Sequence, residues 1–168
     1  MKPQLHNKIY HFIWNFWKKK SLVVNGYCIS YCKLPWMLLI GSKSSKGWFQ
    51  GGMFITYIPD QTIMIFISSK ENPSTISYTI YHEYIEGLCS LKQREVEVSS
   101  LFLQAMESLK EYDSNIGGQF MKSVEKKEDK TQQSCHCIAL AIELALAKSE
   151  MDSDKFRAYL ENALLERL

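Results

Sequence analysis

The sequence predicts an α+β fold in which a β-sheet comes first and helices follow. Three observations carry this. Between residues 21 and 67, paired β-branched apolar runs flank turn residues. After Pro73 the apolar residues recur at three- and four-residue spacing instead. The chain is 168 residues long, 46% apolar and 12% aromatic, enough to bury one core. The expectation is a single domain over 1–168. It has an amphipathic N-terminal helix within 1–20, an antiparallel or mixed sheet of hairpins over 21–70, and about four helices over 74–168, with a mobile loop at 113–130.

Each element has its own signal. Over residues 4–19, Leu5, Ile9, Phe12, Ile13, Phe16 and Trp17 fall on a helical stripe, read here as a core-facing one. Lys18–Lys20 close it, where cations suit the helix dipole. Leu22–Val24 and Tyr27–Tyr31 flank Asn25-Gly26, a dipeptide that accepts the positive φ angles of a tight hairpin turn. Trp36–Ile40 is a further strand candidate, followed by a loop over 41–47. Met53–Ile58 and Thr62–Ile67 form a second hairpin across Pro59-Asp60-Gln61. The unbroken apolar run Thr62–Ile67 predicts burial on both sheet faces. Ser74 or Thr75 caps a helix that stops near Gly87 or Leu88. Arg94–Tyr112 is the next helix, with Val98, Leu101, Phe102, Ala105 and Leu109 on one face. Thr131–Lys148 follows, apolar nearly all round, and Ser153 or Asp154 caps a last one. Gly51-Gly52 and Gly117-Gly118 lack the pattern of a phosphate-binding loop and mark turns.

Composition narrows the function. No apolar run approaches the ~20 residues of a membrane span. The N-terminus places its aromatic residues before its lysines, the reverse of a secretory signal. The expectation is therefore a cytoplasmic protein whose five cysteines (Cys28, Cys32, Cys89, Cys135 and Cys137) are reduced thiols. Net charge is only +2, but eight lysines and no acidic residue precede Asp60. Such asymmetry suits either a basic sheet docked on acidic helices or a surface that meets phosphate or anionic lipid.

The run His82-Glu83-Tyr84-Ile85-Glu86 carries the chemistry. On a helix, His82 and Glu86 project from one face, one turn apart, and can grip a divalent ion. Glu83 beside them can reach a metal-bound water as general base. His136, at the start of a later helix, is the natural third ligand. Glu143, two turns further on, is a fourth ligand or holds His136 in its tautomer. Two histidines and a carboxylate suit catalytic zinc, and also ferrous iron or another divalent metal. The same residues would otherwise make an exposed helical face with His82 paired to Glu86. Cys135-His136-Cys137 with Cys28 and Cys32 is a competing metal set. Its spacing lacks the paired C-x-x-C pattern of structural zinc sites, and buried thiols serve as small hydrophobes.

The segment Tyr81–Gly87, following the strand Thr62–Ile67, resembles the active-site helix and preceding strand of zincin-type metallopeptidases. The resemblance covers about a third of the chain, mainly 53–88 and 131–148. It implies His82 as a ligand, Glu83 as the base, a later helix supplying a third ligand, and a strand that aligns a peptide or protein substrate. Glu86 stands where that family has its second histidine. The implied function is a zinc-dependent hydrolase, most simply a peptidase. The alternative is a non-catalytic interaction protein that binds a partner protein, a membrane or nucleic acid through its basic aromatic N-terminal half.

Overall fold

A computed structural model describes residues 3–35, 51–57, 61–91, 95–116, 118 and 131–167. The strand and loop expected over 36–47 lie outside these residues. So does most of the loop expected at 113–130, whose first part is a helical turn at 114–116 with Ile116 buried. The architecture is α+β, as expected. The chain forms two compact units, Met1–Gly87 and Leu88–Leu168.

The first unit opens with helix α1 (Pro3–Phe16) and strands β1 (Lys19–Val24) and β2 (Tyr27–Leu34). Asn25 and Gly26 join the strands at φ 46° and 80°, the left-handed pair that a two-residue turn demands. Strands β3 (Gly52–Tyr57) and β4 (Thr62–Ser68) form the second hairpin, in register from Gly52↔Ile67 to Tyr57↔Thr62. The sheet order is β1-β2-β4-β3, with β2 and β4 parallel, so the sheet is mixed.

Strand β4 is sandwiched, as its apolar run predicts. Met64 and Phe66 face α1, where Tyr10, Trp14, Cys32, Leu34 and Ile55 complete a buried cluster. The rings of Tyr10 and Trp14 stand 5.2 and 5.7 Å from that of Phe66. Burying side chains of this size contributes about 2 kcal/mol each. On the opposite face lies α2 (Ile76–Ser90), whose Gly87 sits on Ile63. The stripe read as core-facing on α1 is therefore corrected. Tyr10 and Trp14 are inward, Ile13 is half-buried, and Ile9, Phe12, Phe16 and Trp17 are exposed. The helix is apolar on two sides, and periodicity alone does not say which side meets the sheet.

The second unit contains α3 (Glu95–Tyr112), α4 (Thr131–Glu150) and α5 (Ser153–Arg167). On α3, Val98, Ala105, Met106 and Leu109 are buried, and α3 packs against α4. Helix α4 is buried from Cys135 to Ala147 on nearly every side. Tyr112 meets Phe156 of α5 edge-on at 5.0 Å. The cap of α5 is Asp152, one residue before the expected pair, and its Oδ1 accepts from the Lys155 backbone N–H at 2.9 Å. Its hydrogen bond to the Lys155 side chain, with that backbone bond, holds the Asp152 carboxyl below the usual carboxylate range.

The expectation of five reduced thiols is also corrected. Cys89 and Cys135 form a disulfide with Cα atoms 5.5 Å apart, a normal span for that bond. Cys28, Cys32 and Cys137 are not in disulfides. Among the described residues no helix is long and apolar enough to cross a membrane.

Candidate metal centre

Helix α2 begins from a fixed turn. Asn72 Oδ1 accepts from the Ser74 backbone N–H at 3.0 Å, and the Thr75 carbonyl accepts from the Thr79 N–H at 3.1 Å. Thr79 Oγ1 donates to Glu71 Oε1 at 2.7 Å, tying the first turn back to the β4–α2 connection. Asn25 of the β1–β2 turn donates to the Tyr81 hydroxyl at 2.8 Å. The helix ends at Ser90, shortly after Gly87. Gly87 lies inside it, and a Cβ there would stand 2.6 Å from Ile63 Cγ2. The glycine lets α2 approach β4 closely.

That anchoring fixes the direction of each functional side chain. Glu83 and Gly87, one turn apart, both face the sheet. A Cβ on Gly52 would meet Glu83 Cγ at 3.0 Å and Oε1 at 3.2 Å, so the Glu83 side chain lies along the first residue of β3. His82, Glu86 and Cys89 occupy the neighbouring sector of the helix, within about 60° of one another by helix geometry. His82 Nε2 and Glu86 Oε2 are 3.3 Å apart. Both residues are buried, at 4% and 8% exposure. The reading of this run as an exposed polar face is thereby overturned.

His136, half-buried, belongs to the second unit, next to a disulfide-bonded cysteine. Cys89, on the last turn of α2, is bonded to Cys135, the residue beside His136. His82 and Glu86 are the candidate ligands within the first unit. Glu143 is fully buried on α4 and accepts a hydrogen bond from the Tyr159 hydroxyl of α5. Cys135, spent in the disulfide, is not a thiolate donor, which removes a central member of the cysteine set. The signal that could have revealed the disulfide is positional. Each of its cysteines stands within three residues of a candidate ligand.

The donor set fits a divalent ion. Two atoms that share a tetrahedral zinc at ~2.05 Å stand about 3.3 Å apart, which matches the His82–Glu86 separation. Strand β4, expected to align a substrate, is paired on both sides and has no free edge; among the described strands its neighbour β3 is at the sheet edge. The described residues form an α+β chain with a buried His82–Glu86 pair. No family model, no curated protein and no solved structure matches the chain.

Proposed function

We propose that the chain is a metal-dependent hydrolase, most simply a zincin-like zinc peptidase. The observation that supports this most is the buried pair His82 and Glu86, whose donor atoms stand 3.3 Å apart, the spacing of two ligands on one zinc. Two imidazoles and a carboxylate leave a coordination position open, as catalytic zinc sites do. When bound there, zinc supplies an acidified water and polarises a carbonyl. His82 and Glu86 would hold the ion from α2, and His136 would close the set. Glu83 would take the proton of the attacking water and pass it to the leaving amine. Strand β3, whose Gly52 lies under Glu83, offers backbone donors and acceptors to an extended peptide.

The test is Glu83→Gln in the full chain. Glutamine keeps the shape and removes the base, so peptide hydrolysis should fall by at least about a hundredfold while bound zinc is unchanged. Activity that survives the substitution would remove Glu83 from this role. Wild-type protein that holds no zinc would defeat the reading as a whole, leaving His82–Glu86 a buried ion pair.

A further inference from the structure

The outward face of α1 has no role in the fold or in the proposed metal site. Ile9, Phe12 and Phe16 fall within about 60° of the helix circumference, on the side away from Tyr10 and Trp14. Phe12 and Phe16 are 62% and 77% exposed, and their tilted rings have centroids 4.5 Å apart. Two large aromatic rings side by side in water are a marked departure for a helix whose other side already fills the core.

The surroundings of this face are uniformly basic or neutral. Lys18, Lys19 and Lys20 follow the helix directly and are exposed, and Lys8 is exposed along its flank. Lys19 Nζ stands 5.4 Å from the Trp14 ring centroid, which sets one of these charges beside the helix. None of α1, β1, β2, β3 or β4 contains an acidic residue. Val23, 70% exposed, is on the same face of the sheet as Lys19, the face that α1 covers.

We infer that this face docks α1 on the surface of an anionic lipid bilayer. An apolar strip rimmed by lysines is the arrangement of a helix lying in the interfacial plane, its rings at the headgroup–acyl boundary and its cations among lipid phosphates and carboxylates. A nucleic acid would satisfy the lysines but not the aliphatic and phenyl centre of the strip. A two-fold dimer through this face would set the same lysine-rich patch against itself. The inference is independent of the metal reading, because none of its residues belongs to that site.

The test is flotation of the full chain with phosphatidylcholine vesicles, with and without about one third phosphatidylserine. The chain should float with the anionic vesicles, far less with the neutral ones, and less as salt rises above ~0.1 M. Phe12→Ser/Phe16→Ser should lower the partition coefficient at least about tenfold. Lys8→Gln/Lys18→Gln should lower it and flatten its salt dependence. All four side chains are exposed, so unchanged thermal unfolding should certify each variant. Should the phenylalanine variant fail to fold, quenching of the unmodified chain's tryptophan fluorescence by brominated lipid reads the same contact. The inference is overturned by absence of binding to anionic vesicles, by binding indifferent to the phenylalanine pair, or by lack of quenching. Equally, capture of single-stranded RNA without vesicle binding, or self-association abolished by the phenylalanine variant, would assign the face to another occupant.

Discussion

At Gly87 the space between α2 and β4 admits a hydrogen and little more. A Cβ would fall 2.6 Å from a branched Ile63 methyl and 3.3 Å from its Cδ1, closer than packed carbons approach. Gly87→Val is therefore expected to destabilise the protein by about 3 kcal/mol, read as a lower urea midpoint, through overpacking. An unchanged midpoint would contradict the α2–β4 contact that orients His82 and Glu86. The sequence sets the helix end at this glycine or shortly after, because a glycine needed for close approach looks the same as one needed at a C-cap; the helix runs on to Ser90. The exchange of caps at α5 has a similar origin. Asp152, Ser153 and Asp154 are all competent N-caps, and only the hydrogen bond to Lys155 distinguishes the first. By contrast, His82 and Glu86 were legible as partners from their spacing alone, since i and i+4 meet on any helix. Their burial was not, because it depends on what covers the helix.

Among the elements, both hairpins were legible because their turns have local causes. Asn25-Gly26 accepts left-handed backbone, and the runs on either side set the register. Burial of β4 on both faces followed from its lack of alternation. Helix α1 was misjudged because its stripe and its core face are different faces, and Tyr10 and Trp14 interrupt no pattern. Cysteine spacing did not reveal the disulfide, since spacing does not determine pairing; only the position of each cysteine near a candidate ligand pointed to it. It joins the end of α2 to the start of α4 across 46 residues. By loop-closure entropy, that bond restricts the unfolded chain by about 4 kcal/mol. Cys135→Ser should lower stability by an amount of this order, and a reductant should do the same to the wild type but not to the variant. Equal unfolding midpoints for all samples would show that the bond does not form.

Across the whole molecule, the order of sheet and helices gave the α+β class, because the change from two-residue to three- and four-residue periodicity after Pro73 is strong. Charge asymmetry was equally plain, with every acidic residue at or after Asp60. Which exposed side chains accompany the basic half required coordinates. The proposed zinc site gives His82 and Glu86, four positions apart on α2, a third ligand in His136, fifty positions after Glu86. The most direct measurement is zinc content and affinity of the full chain, by elemental analysis after dialysis and by competition titration. One zinc per chain with at least about micromolar affinity is expected, with a loss of at least about tenfold in affinity on His136→Ala. Absence of stoichiometric zinc, or zinc bound equally well without His136, would contradict the proposed site.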